Sequence, residues 1–203
     1  MDNLNQKPVE FSWRHFTPGL IYILVIDLFA ITGLWGHVDW LRSIWFLPLI
    51  GLPWLSVLVS PGRLKLMGFH RQRWLARMGW GVVAGGIWRI LSLALNYALA
   101  SSGSNLLGWG EIVAAVVIVP GIEETFFRGY IGRGLSRQIG MWPGVFIQSA
   151  LFSLHPIHWA QGGVHLVSIF GFGLLAGWMV ERTRSIWPAW GAHAFANLLP
   201  LAF

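Results

Sequence analysis

The chain has 203 residues, of which 55% are hydrophobic, 15% aromatic and only 11% charged, and its mean hydropathy is +0.60. A soluble domain carries about 25% charged residues, which excludes a soluble globule and leaves an all-α polytopic membrane protein. Lys and Arg number 14 against 8 acidic residues, a net charge of +6. In so apolar a chain this surplus belongs in short loops that orient the spans, and no nucleic acid partner is expected.

The 14 Trp and 25 Gly suit the same class, because Trp gathers at the membrane interface and Gly is frequent in membrane helices. There is no cysteine, so disulfides, thiolate catalysis, Cys-ligated metals and lipid attachment through sulfur are excluded. The stretch Met1-Asp-Asn-Leu-Asn-Gln-Lys7 is polar and lacks the short apolar segment of a removable signal peptide, so none is expected.

A spanning helix needs about 20 residues, which allows about seven spans. They are predicted at 17–36, 40–60, 78–100, 108–132, 142–157, 163–181 and 187–203, with Pro53 interrupting the second. Asp27 in the first span and Arg89 in the third are costly inside a membrane and are expected to pair with each other, the alternative being that they mark a substrate path. The segment 61–77 holds Arg63, Lys65, Arg71, Arg73 and Arg77 and no acid. It reads as a charged inner loop or as an interfacial helix. Arg133 and Arg137 follow the fourth span, and Arg182 and Arg184 precede the seventh, whereas 101–107 and 157–164 carry no basic residue. This alternation puts the N-terminus inside and the C-terminus outside. Residues 1–107 then form N-terminal spans with a basic inner loop, and 108–203 a helical core that carries the chemistry. The short chain points to a prokaryotic inner membrane.

Within that core, Glu123 and Glu124 follow the apolar run Ile112 to Pro120. Ionisable groups in a membrane segment are functional candidates by default. Glu124 and Arg128 are four apart and share a helix face, so they can pair. Glu123 is turned away and is left free to act as general base and then general acid. Pro120-Gly121 just before the pair can loosen the helix. His155 closes the next apolar span at Ser149-Ala-Leu-Phe-Ser-Leu-His155, where Pro156 ends or bends the helix. His193 and Asn197 are again four apart, and both side chains can donate to an oxyanion. Taken singly, each piece also reads as structure: a buried ion pair, an interhelical hydrogen bond, polar glue between helices. Together they can activate a water and stabilise a tetrahedral intermediate, which is amide hydrolysis. His158 and His165 are expected in or near the interfacial loop after the fifth span, with lining of the entrance as the alternative for His158, and Glu111 near water.

Glu123-Glu124-Thr-Phe-Phe-Arg128, the apolar run ending at His155, and His193-Ala-Phe-Ala-Asn197 resemble the three motifs of the CAAX protease and bacteriocin-processing (CPBP) family of intramembrane proteases. The resemblance covers about residues 108–200. It implies that Glu123 and His155 activate the water, that His193 and Asn197 form the oxyanion site, and that Glu124 and Arg128 support them. The family's second motif is usually Phe-x-x-x-His; here position 151 is Leu and Phe152 follows, so the aromatic packing role is expected to have shifted by one place. No cofactor is expected. Two His and a Glu could bind zinc in principle, but no His-Glu-x-x-His segment is present. The expected partners are the lipid bilayer and a peptide or membrane-protein substrate. The alternative is a non-catalytic membrane binding or immunity protein. A transporter is disfavoured because no repeated half or pair of broken helices is visible.

Overall fold

The apolar runs fold as helices in the predicted order, and among the described residues there is no strand. A computed structural model describes residues 11–60, 62–98, 109–159 and 163–198. The first apolar run gives α1 (Trp13–Ile31), followed by a 3-10 turn at Leu34–His37. The second gives two pieces, α2 (Asp39–Ile44) and α3 (Phe46–Val59). After α4 (Arg63–Leu66) comes the long α5 (Trp74–Ala98). The fourth run is α6 (Trp109–Val113), a π segment π1 (Ala114–Ile118), α7 (Val119–Glu123), a second π segment π2 (Glu124–Gly132) and α8 (Arg133–Ile139). It is followed by α9 (Met141–Leu154), α10 (Pro156–Trp159), α11 (Gly163–Thr183) and α12 (Trp187–Leu198).

The break in the second run falls at Trp45, not at Pro53, which lies inside α3. The Tyr22 hydroxyl of α1 donates to the Trp45 carbonyl, so that carbonyl is held from outside its own helix. The fourth run continues seven residues past its predicted end at 132, through Ile139. Two helices, α1 and α11, are long and apolar enough to cross a membrane by themselves. Large apolar side chains stand exposed on α1, α3, α5 and α11, among them Leu28, Leu58, Val83 and Val167.

Packing is tightest between α5 and α12. Gly81 and Gly85 are four apart on α5, and each lies against α12 backbone, at Pro188 and Ala192. A Cβ at either position would collide with a carbonyl oxygen of α12. Small residues at this spacing let two membrane helices approach until their backbones touch. On the other side of the bundle α9 lies along α11 and doubles back on α8. The π2–α8 stretch runs through the middle: Tyr130 donates to His15 O at 2.6 Å, Gln138 to Phe11 O at 2.7 Å, and Arg133 Nε to Leu66 O at 2.6 Å.

The basic segment after α3 is fastened to the rest of the bundle. Arg63 turns inward and donates to Ser56 O at 2.9 Å. The Ile186 amide donates to Gly68 O and the Trp187 indole to His70 O, at 3.1 and 2.8 Å. The segment is thus tied to the turn that starts α12. Gly68 has φ +98 and sits against Ser185 and Ile186 backbone, so only glycine fits there. Burial lowers the His70 pKa first, and the facing cations Arg133, Arg77 and Lys65 lower it further.

Candidate active site

Proline chemistry opens the helix that carries the acidic pair. In π1 each N–H reaches the carbonyl five residues back, and the Val119 N–H accordingly donates to Ala114 O. The next donor in this pattern would be residue 120 toward Ala115 O, but Pro120 has no N–H. Asn197 fills the gap: its Nδ2 donates to Ala115 O at 2.9 Å. The two wide segments π1 and π2 flank α7 and deliver Glu123 at its end and Glu124 at the start of π2.

The two carboxylates have unequal surroundings, as their spacing predicts. Glu124 is fully buried. Its Oε1 lies 3.2 Å from Arg128 Nη1 and 2.7 Å from His193 Nδ1. The Arg128 guanidinium, also fully buried, lies over the Phe152 ring at 3.9 Å, a cation–π interaction that holds it flat. Phe152 thus supplies an aromatic face to the Arg128 guanidinium. Glu123 Oε2 is buried without a hydrogen-bond partner and lies 3.8 Å from His193 Nε2. That distance is too long for a hydrogen bond. His193 thus stands between the two acids, one ring nitrogen toward each.

His155 lies beside this group but is not paired with Glu123. It caps α9 with φ −57 and ψ 138, the extended conformation that a following proline imposes. Its ring packs on Trp45 at 4.9 Å and Phe127 at 5.9 Å, and its Nε2 is buried with no partner. Phe127 touches Phe152 at 5.0 Å, and Phe152 faces His193 at 6.2 Å. Phe127 and Phe152 thus connect the His155 ring to His193 through ring contacts.

The sequence alone places Arg128, His155 and His193 at discordant depths, yet the structure brings them into one cluster: His193 reaches Glu124, the ion-pair partner of Arg128, and His155 packs on Phe127, the residue before Arg128.

Two sequence expectations fail. Asp27 and Arg89 do not pair. Both Asp27 oxygens and Arg89 Nε are buried without hydrogen-bond partners, because α1 packs on α3, α9 and π2 whereas α5 packs on α12 and α11. His158 is not an interfacial loop residue: it is 9% exposed, and its ring meets Phe152 at 4.8 Å. Its spacing three residues after His155, beside a helix-starting Pro156, is the one sequence signal of this placement. Glu111 is exposed, as expected. Among the described residues, no three His, Asp or Glu side chains are placed to hold a metal ion.

Comparison with known proteins gives one finding. The family model described as "Rce1-like: Type II CAAX prenyl endopeptidase Rce1-like" matches residues 103–199. No curated protein and no solved structure matches the chain.

Proposed function

Because residues 103–199 belong to the Rce1-like family of endopeptidases, we propose that this chain is an integral-membrane endopeptidase that hydrolyses a peptide bond near or inside the bilayer, using a water activated by Glu123. The observation that carries the reading is the asymmetry of the acid pair. Arg128 and His193 both hold Glu124 at Oε1 and leave its Oε2 without a hydrogen-bond partner, whereas Glu123 presents its own unpartnered Oε2 3.8 Å from the far nitrogen of the same imidazole.

A water oxygen within hydrogen-bond reach of both Glu123 Oε2 and His193 Nε2 sits about 2 Å off the line joining them. Glu123 takes a proton from that water as its oxygen attacks the peptide carbonyl. The negative charge passes to the carbonyl oxygen, which a protonated His193 stabilises by donation from Nε2. Glu124 holds the imidazolium through Nδ1, as a buried acid orients a catalytic histidine, and Arg128 balances the charge of Glu124. Glu123 then returns its proton to the leaving nitrogen, the C–N bond breaks, and a carboxylic acid and an amine result. His155, packed on Phe127, takes a supporting role in this reading. Asn197 has one amide hydrogen committed to Ala115 O and one left for the oxyanion. This route takes no cofactor from the protein.

In this reading the seven helical runs cross the bilayer with the basic end inside. The exposed apolar side chains face lipid, and the site is a polar pocket walled by protein, as membrane rules require. The test is a comparison of membrane peptides from cells carrying wild type or Glu123→Gln. Substrates that accumulate uncut only with Glu123→Gln support hydrolysis. Identical peptide profiles speak against it.

A further inference from the structure

A group of unpartnered polar atoms outside the acid pair lies at the basic end of the bundle. Arg133 is only 4% exposed; its Nε is spent on Leu66 O at 2.6 Å, and its Nη1 is buried with no partner. Arg77 Nη1 and Ser185 Oγ are buried without partners as well. All three surround the turn Leu66–His70. Arg133 holds Leu66, Ser185 backbone lies against Gly68, and Arg77 is felt at His70 together with Arg133 and Lys65. Arg137 and Arg184 are in turn felt at Arg133. Among the described residues Glu181 is the acid within that reach, and it leaves Arg133 Nη1 unpaired.

Positive-inside sorting accounts for basic residues in solvated loops. It does not account for a buried guanidinium with an unused donor, which is costly without a partner. Every orphan in this group can donate, so the missing partner is an acceptor, and the surplus of cations makes it an anion. Arginine donors suit a phosphate. Aromatic rings set the depth of the site. Trp54 and Phe69 are 5.9 Å apart, Phe69 and Trp187 5.8 Å, and Trp74 and Trp187 5.5 Å. Trp74 and Leu75 are exposed and lie within one turn of Arg77. A tryptophan belt marks headgroup level, where lipid phosphates lie. The backbone adds a further sign. The non-glycine residues with positive φ among the described residues are Arg73 and Arg184, at +53 and +52, and backbone of this kind gathers at ligand clamps.

We propose that Arg77, Arg133 and Ser185 form a site for the phosphate of an anionic phospholipid, with Lys65 and Arg184 at its rim. Basic pockets between helices on the inner side of a membrane take lipid headgroups in this way. The bound headgroup fastens the Leu66–His70 turn to α8 and to the start of α12, the helix that carries His193. The occupant is a lipid and not free phosphate, because the exposed Trp74 and Leu75 offer its chains an apolar border. The proposal rests on the bilayer placement given above and not on hydrolysis.

The test uses the full chain in neutral detergent micelles doped with phosphatidylglycerol or, at the same mole fraction, phosphatidylcholine. Native mass spectrometry should show phosphatidylglycerol retained at least about tenfold more strongly than phosphatidylcholine. Phosphatidylglycerol should also raise the unfolding temperature above that in phosphatidylcholine. Arg77→Gln and Arg133→Gln should each lose the preference, and Arg77→Lys should keep it. If Arg133→Gln folds poorly, the two Arg77 variants decide. Arg71→Gln removes an exposed charge of the same segment and should leave the preference as it is. Equal retention of the two lipids, a preference that persists in folded Arg77→Gln or Arg133→Gln, or an equal loss in Arg71→Gln overturns the site. Stabilisation by inorganic phosphate in lipid-free micelles as large as that by phosphatidylglycerol overturns the lipid as occupant. The preference intact in a chain that cuts no membrane peptide sinks the hydrolytic reading alone. Cleavage intact without the preference sinks the lipid site alone.

Discussion

Asn197 makes the hydrogen bond that Pro120 cannot. Its Nδ2 lies 2.9 Å from Ala115 O, the carbonyl to which an N–H at position 120 would have donated. A proline that opens the helix before the acid pair is thereby coupled to the helix that carries His193, one turn away from Asn197. The coupling gives Asn197 a positioning role beside any interaction with the oxyanion.

Asn197→Ala should therefore lower stability by about 1 kcal/mol, the net worth of a part-buried hydrogen bond. Pro120→Ala restores an N–H at position 120 and should recover part of that loss in the double variant. Thermal unfolding in detergent measures both. Strict additivity of the two substitutions would show that the residues do not act on the same carbonyl.

Glu124→Gln and Glu123→Gln should differ in kind. Removing the Glu124 charge strands the buried Arg128 guanidinium and should cost about 3–5 kcal/mol, read as a large drop in unfolding temperature. Glu123 has no hydrogen-bond partner at Oε2, so Glu123→Gln should unfold close to wild type. Equal destabilisation by the two substitutions would contradict the division of labour.

Gly85→Val should force α5 away from α12 and displace His193. Gly79→Ala should be silent, because nothing lies within 4 Å of a Cβ at Gly79. Helices in a membrane are held together mainly by close packing, so prising these two apart should weaken both folding and function. If Gly85→Val matches wild type in unfolding temperature and activity, the close approach is not needed.

His70 should titrate below the ordinary histidine value of about 6.5, since burial and then Arg133, Arg77 and Lys65 all oppose its charge. A histidine depressed in the folded state favours folding above its unfolded pKa, and that contribution fades as pH falls toward the folded value. The docked segment at Gly68–His70 should accordingly loosen in mild acid. Histidine NMR titration of the detergent-solubilised chain tests this, and a midpoint at or above the ordinary value would refute it.

The parts of the site that depend on local spacing are legible in the sequence. Glu124 and Arg128 are four apart, and they pair. A proline at position 120 must free a backbone carbonyl, and it does. A proline at position 156 favours a helix end at His155, and α9 ends there. The all-helical class follows from composition, while membrane-crossing length is met by α1 and α11 alone.

Features that depend on which helices neighbour one another are not legible. Asp27 and Arg89 look like partners because they have opposite signs in apolar runs, yet α1 and α5 pack on different elements. His193 bridges both glutamates across 69 residues of sequence, a pairing that no periodicity reports. His158 is hidden by its loop-like surroundings, and the rings of Phe152, His155 and His165 meet it. The wide turns of π1 and π2 have no sequence signal of their own beyond the proline between them.

The central claim is that Glu123 activates the attacking water. The most direct measurement is cleavage, in heavy-oxygen water, of a peptide that accumulates uncut in Glu123→Gln cells, by purified wild type, Glu123→Gln and Glu123→Asp. Wild type should place one heavy oxygen in each new carboxyl terminus. Glu123→Gln should be slower by about a thousandfold or more while remaining folded, and Glu123→Asp should keep measurable activity. Cleavage by folded Glu123→Gln at the wild-type rate would contradict the account.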